Sequence, residues 1–484
     1  MPIVEVKNGK IKGYTDNNLH IFKGIPYAEP PVGNLRFSPP QPKEPWNGIL
    51  EATEFGSCAF QGFSPLEKFT GKLQPESEDC LTLNIWTPAI DDKKRPVMFW
   101  IHGGSFIMGG SKSPIYDGSQ LAQRGDVVVV SINYRLGAFG YLYIPGVTAN
   151  VGQLDQILAL KWIHNNIAKF GGDPDNITIF GESAGAYAVI TLLAMPSAKG
   201  LFRRIIAQSM PTIDPKVTEK PTKELMRRLG IKNKDINALH ALRNIPPEEI
   251  IKVQNEITKT GGLIFRPIID NDTFPVHPLA VIQKGECKDI DLMMGTNLNE
   301  AKLFTSLNPL TSNIKDEKPI ILYLGMMGIN SEKARKIIDS YKQVEAETFS
   351  NDPKELLDSI ATDLMFRIAT LQILEAQSTF QPNTYNYLFT WRTSALKGKL
   401  GSCHALELPF VFNTFNDPGM KIFLDNATDT DYLSENIMDC WISFAHTGDP
   451  NHKGIPQWPT YDKKSRSMLL FSNKEYPFSS IFLV

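Results

Sequence analysis

The chain has 484 residues, enough for a large core and, by length alone, for two or three domains. It is 42% hydrophobic and 21% charged with a formal net charge of −2, and its lysines and arginines are scattered among acids, which argues for a globular enzyme and against a nucleic-acid binder. No run approaches membrane-spanning length, and the opening Met1-Pro-Ile-Val-Glu-Val-Lys-Asn has no basic stretch leading into an apolar one, so neither a membrane segment nor a secretory leader is expected and the cytoplasm is the default.

Residues 1–55 carry short alternating runs (Ile3–Val6, then Ile11 onward) broken by Pro26, Pro30, Pro31, Pro39 and Pro40, a pattern of edge strands and ordered loops. Leu81–Trp86 and Pro96–Ile101 are stronger strand candidates. The second is almost wholly apolar, as a central strand covered on both faces should be. It runs into His102-Gly103-Gly104-Ser105-Phe106. A helix near Gly118–Arg124, the strand Val127–Ile132 and a helix over 152–169 follow, the last ended by Gly171-Gly172-Asp173-Pro174.

Next come Asn176–Phe180, Gly181-Glu182-Ser183-Ala184-Gly185, and Ala186–Leu193, which read as strand, tight turn and helix. A strand that reverses this sharply crowds its own backbone, so the residues two before and two after the apex must lack bulk. Serine at the apex projects its Oγ from the top of the sheet, where the helix behind it aims free N–H groups. Another apolar strand, Arg204–Ser209, completes a strand-helix repeat that predicts a parallel sheet with helices on both faces. Residues 215–284 and 313–382 read as mostly helical caps, with strands returning at Ile290–Gly295 and Thr384–Thr390 and a last amphipathic helix at Tyr432–Phe444. One continuous sheet predicts one domain, 1–484, of α/β class. Cys58, Cys80, Cys287, Cys403 and Cys440 are too few and too scattered for a disulfide framework or a zinc site, and they read as buried thiols.

A lone serine is a poor nucleophile; it needs a base within reach and a carboxylate to orient that base. With this kind of turn the partners follow in the order serine, acid, histidine. His240 falls in the helical cap, His277 between prolines, and His446 and His452 in a polar turn, whereas His404 lies in a loop between a strand and an apolar segment. Glu300 follows the strand ending at Gly295, at the carboxyl end where α/β sites form, with Asp272, Asp363 and Glu407 as rivals.

Gly181–Gly185, Glu78–Asn84, Trp100–Gly104, Asn133–Gly140, Phe170–Pro174 and His404–Phe410 together resemble the type-B carboxylesterases of the cholinesterase-like α/β-hydrolase family, above all its bacterial para-nitrobenzyl esterase branch. The likeness runs from Gly24–Ala28 to Trp441–Phe444 and Trp458–Tyr461. It implies Ser183 as nucleophile, Glu300 as acid and His404 as base. It also implies an oxyanion hole of the N–H groups of Gly104, Ser105 and Ala184, with Ser105 departing from the family's Gly-Gly-Gly form. Glu182 and Ser209 resemble residues that hydrogen-bond around the triad, and Arg36 with Glu78 and Arg135 with Asp155 resemble the family's buried ion pairs. Cys58 and Cys80 stand where secreted relatives have a disulfide; without a leader they are expected to be reduced. Asn176–Thr178 and Asn426–Thr428 fit glycosylation sequons that a cytoplasmic protein would not use.

The resemblance implies a serine esterase acting with water and without cofactor or metal, and the hydrophobic residues named next suggest small to medium uncharged esters. Phe106, Phe265, Leu303, Phe304, Met365 and Phe366 are candidates to line the acyl and alcohol pockets. No nucleic-acid or membrane partner is expected, and the terminal helix is expected to pack on its own sheet, which favours a monomer.

Overall fold

The computed structural model describes residues 1–62, 75–232, 236–261, 263–345, 352–425, 430–472 and 478–481. Among these the chain forms strands β1 (Ile3–Val6), β2 (Gly9–Lys12), β3 (Tyr14–Asp16), β4 (Leu19–Pro26), β5 (Ile49–Glu51), β6 (Thr82–Thr87) and β7 (Arg95–Ile101). They continue with β8 (Val128–Ile132), β9 (Gly172–Glu182), β10 (Arg204–Gln208), β11 (Asp291–Asn297), β12 (Thr384–Phe389), β13 (Met468–Phe471) and β14 (Phe478–Ile481). β1, β2 and β5 make a small separate sheet, and the others form an 11-stranded sheet in the order β14-β13-β12-β11-β10-β9-β7-β8-β6-β4-β3. Neighbours from β8 to β13 are parallel. Antiparallel pairs flank them on both sides.

The central strands are apolar through their middles because both faces are covered. In β7, Val97, Phe99 and Ile101 join one core while Met98 and Trp100 join the other. β10 divides in the same way, Ile205 and Ala207 to one side and Ile206 to the other. Pro96 lacks an N–H for the ladder, and the β7–β9 register slips at that point, between Arg95 and Val97.

Strand order places the site. The chain steps from β7 to β8 on one side and returns as β9 on the other, so the carboxyl ends of β7 and β9 meet at a change of direction where open α/β sheets bind ligands. β9 starts at Gly172, four residues before the expected strand, because Gly172 pairs with Arg95 at the foot of β7. The helix expected over 152–169 is α-helical over Val151–Asn166 and tightens to a 3-10 turn at Ile167–Phe170.

The first cap region contains Lys220–Arg228, Ile236–Arg243, Pro247–Gly261 and Pro278–Gln283. The second contains Lys318–Met326, Ser331–Glu345, Pro353–Thr362, a π-helical turn Asp363–Arg367 and Ile368–Gln377. Part of this second cap packs around a core of its own that includes Ile320, Leu324, Ile338, Leu357 and Ile360. Residues 346–351 of that cap and the sequon Asn426–Thr428 lie outside the described residues. The terminal helix, Thr430–Thr447, buries Leu433, Ile437, Trp441 and Phe444 against the sheet of its own chain.

Candidate active site

β9 ends at Glu182, and the next residue, Ser183, takes φ 55° and ψ −120°, a conformation rare outside glycine, before the helix Ala184–Leu192 begins. Holding it there costs on the order of 1–3 kcal/mol, which the surrounding packing must offset. The crowding that requires small neighbours comes from the turn's own backbone, where a Cβ on Gly181 would stand 2.6 Å from the Gly185 carbonyl carbon, and from the adjoining strand. A Cβ on Gly185 would stand 2.1 Å from the Ile101 carbonyl oxygen of β7, and one on Gly181 would stand 2.7 Å from the same atom. The serine therefore sits where two central strands and a helix are pressed together.

The loop after β7 bends over this turn through three consecutive positive φ angles, at Gly104 (105°), Ser105 (57°) and Phe106 (61°). Gly104 has no room for a Cβ, which would lie 2.0 Å from the Met108 carbonyl oxygen, whereas Ser105 accepts a left-handed conformation with its side chain. The N–H groups of Gly104, Ser105 and Ala184 meet no acceptor among the described residues. His102 braces this loop. Burial pushes its imidazole down to about 4, so it is neutral. Its ring stacks on Tyr134 at 4.6 Å, and its Nδ1–H donates to the Gly103 carbonyl at 2.8 Å. The Tyr134 hydroxyl donates to the His102 carbonyl at 2.8 Å.

Glu300 is wholly buried in the loop after β11. The Asn297 N–H donates to its Oε1 at 2.7 Å, and His404 Nδ1–H donates to its Oε2 at 2.7 Å. The other ring nitrogen, His404 Nε2, lies 2.9 Å from Glu182 Oε1, within ion-pair distance. No hydrogen bond joins Ser183 Oγ to His404 among the described residues, so the structure joins Glu300 and His404 directly and brings Ser183 in through its neighbour Glu182. Ligand-free sites commonly leave this contact loose. Burial favours a neutral His404, but Glu182 and Glu300 outweigh it and hold the imidazole's proton affinity well above the ordinary histidine range. Phe366 and Phe304 pack on the ring with centroids 4.7 and 5.3 Å away.

The rival acids fall elsewhere. Asp272 is exposed, Asp363 pairs with Arg367 and accepts from the Tyr341 hydroxyl, and Glu407 is buried against Gln208 and Asn297. Of the pocket candidates, Phe304 and Phe366 touch His404. Phe106 is buried edge-on to Tyr141 and Tyr187, Phe265 and Leu303 lie in the two main cores, and the Met365 sulfur accepts from the Tyr323 hydroxyl. Ser209 is buried with φ 53° at the end of β10, its N–H donating to the Gly295 carbonyl. Arg36 pairs with Glu78, and Arg135 pairs with Asp155 at 2.6 Å. His102, Gln208 and Asn297 were not singled out as site residues from sequence. A usable signal was there for the last two: each is the polar carboxyl-terminal residue of a strand with an apolar middle.

A model of the carboxylesterase family matches residues 1–479. The chain belongs to the carboxylesterase family. It is 36% identical over 485 residues to the para-nitrobenzyl esterase of Bacillus subtilis, covering 98% of this chain and 95% of that one. It is 35% identical over 493 residues to phenmedipham hydrolase of Pseudarthrobacter oxydans, again covering 98% and 95%. Among solved structures, a thermophilic para-nitrobenzyl esterase superposes with a TM-score of 0.87 at 34% identity, covering 99% of this chain and 97% of that one. This carboxylesterase has the α/β-hydrolase fold and is a carboxylic-ester hydrolase.

Proposed function

We propose that this carboxylesterase cleaves small to medium uncharged esters by acyl transfer through Ser183, His404 and Glu300. The observation that carries the reading is the buried 2.7 Å His404–Glu300 hydrogen bond at the sheet's carboxyl edge, beside a serine held at φ 55°. His404 Nε2 takes the proton of Ser183 Oγ as the oxygen attacks the ester carbonyl. Glu300 fixes the tautomer, and with Glu182 it stabilises the imidazolium that forms. The N–H groups of Gly104, Ser105 and Ala184 receive the oxyanion, aided by the N-terminus of the helix Ala184–Leu192. The imidazolium protonates the departing alcohol, and water then enters by the same route to release the acid and restore Ser183.

Phe304 and Phe366 support an apolar substrate pocket beside His404, consistent with the para-nitrobenzyl ester named for one relative. A sheet that draws strands from residue 14 to residue 481, and a terminal helix packed on that sheet, support a one-domain monomer.

The test is p-nitrophenol release from C2 to C8 acyl esters, with an early-time burst measurement. Wild type is expected to turn over with a stoichiometric burst. Ser183→Ala is expected to lose at least about 10⁴-fold in kcat. Turnover that survives the substitution in a folded protein would overturn the assignment.

A further inference from the structure

The loop that passes over the nucleophile carries a hydroxyl with no part in the mechanism above. A Cβ on Gly103 would stand 3.2 Å from the Ser183 Cβ, so the loop lies directly against the serine. It then closes as a tight turn, the Ile107 N–H donating to the Gly104 carbonyl at 3.0 Å, with positive φ at both central residues, 57° at Ser105 and 61° at Phe106. Turns of this kind favour glycine, asparagine and aspartate, and a serine followed by a phenylalanine is strained there. Phe106 has a packing reason: its ring is wholly buried, edge-on to Tyr141 and Tyr187. Ser105 has no such burial. It is partly exposed, and its Oγ makes no hydrogen bond among the described residues.

We propose that Ser105 is a catalytic residue whose Oγ–H is a further donor to the oxyanion, beside the N–H groups of Gly104, Ser105 and Ala184. The inference rests on the Ser183, His404 and Glu300 reading above. Covalent geometry limits where this hydroxyl can be. In two of the three staggered χ1 rotamers Oγ stands about 3 Å from its own residue's nitrogen, and an oxyanion held by that N–H is also about 3 Å from the nitrogen, so one oxygen can accept from both. The Ser105 O–H bond stays intact throughout: it donates to the ester oxygen as the electron pair moves onto it, and lets go as the carbonyl reforms and the alcohol leaves. Such a donor acts on charge that exists only in the transition state, and it is worth most when it is fixed beforehand. The turn is fixed at its middle and at its exit. The Gly137 N–H donates to the Phe106 carbonyl at 2.6 Å. Gln61 donates its amide to the Gly109 carbonyl at 2.8 Å and accepts from the Gly109 N–H at 2.7 Å.

The test measures kcat and KM on p-nitrophenyl acetate for wild type, Ser105→Ala and Ser105→Gly, together with the affinity of each for an alkyl trifluoromethyl ketone, whose adduct with Ser183 carries the oxyanion. Both variants keep the backbone N–H and lose only the hydroxyl or the whole side chain. Ser105→Gly also relieves a left-handed position, so it is expected to melt no lower than wild type, and a lost rate in it is not a lost fold. Both are expected to lose about 10- to 100-fold in kcat with little change in KM, and the ketone affinity should fall by a similar factor. A kcat for Ser105→Ala within about twofold of wild type would overturn the proposal. So would a Ser105→Gly that keeps its rate on the acetate and merely gains bulkier esters such as the pivalate, because the side chain would then be a wall and no donor. A wild type that hydrolyses no ester sinks the catalytic reading and this proposal with it, whereas an active wild type whose rate ignores residue 105 sinks this proposal alone.

Discussion

His102 touches no reacting atom, yet the proposed oxyanion donor Gly104 depends on it. In a trans peptide the carbonyl and the N–H point in opposite directions, so an imidazole that pins the Gly103 carbonyl also fixes the Gly104 N–H. His102→Ala should lower kcat by about 10-fold or more with little change in KM, because the loss falls on the transition state. His102→Asn, whose Nδ2 can stand where Nδ1 stood, should recover part of it. Steady-state kinetics on one p-nitrophenyl ester checks both. The acid limb of activity is a second prediction at this scale. His404 must be neutral to act as base, and Glu182 and Glu300 raise its proton affinity above the ordinary value of 6.5 against the opposing effect of burial. Activity should therefore be lost as pH falls through a midpoint above 6.5, in an alkaline-shifted profile. A midpoint at or below 6.5 would count against this electrostatic account.

The turn between β9 and its helix was legible as an element because its chemistry is local: β-prone residues, Gly-x-Ser-x-Gly, then small and aliphatic residues. The turn's own backbone accounts for Gly181, but what the sequence could not supply was the neighbour that makes Gly185 necessary. Gly185 is crowded by the Ile101 carbonyl, more than eighty residues earlier in the chain, and no local pattern reports that approach. Gly185→Ala should cost at least about 3 kcal/mol, because the 2.1 Å clash is with backbone and can be relieved only by parting β7 from the turn. Urea denaturation measures it. β4 was read as part of an edge region because Pro26 and its neighbours break the pattern, yet it lies inside the sheet between β3 and β6, with the proline at its end. His404 and Glu300 could be proposed from strand ends and order alone. The Gln208, Asn297 and Glu407 group could not, since it exists only where β10, β11 and the His404 loop converge.

At the scale of the whole molecule, the second cap differs from the rest. Helices such as Lys318–Met326 and Ser331–Glu345 pack around a separate small core, while β7, β9 and β10 are buried between the two large ones. Regions with little shared apolar burial open independently, so amides of these helices should exchange with deuterium faster than those of β7 and β10, as hydrogen exchange with mass spectrometry can resolve.

The His404–Glu300 bond spans 104 residues, and Ser183 comes from a stretch earlier still. Beyond His404 the sheet still awaits β13, from residues 468–471, and the helix Thr430–Thr447 that covers it. Contacts of such long range form late, after the entropy of closing large loops has been overcome. Returning esterase activity should therefore lag behind the recovery of secondary structure when the denatured chain is diluted into buffer. A nascent chain cut short before residue 404 would lack the base altogether, which makes hydrolysis a report that synthesis and folding have both been completed.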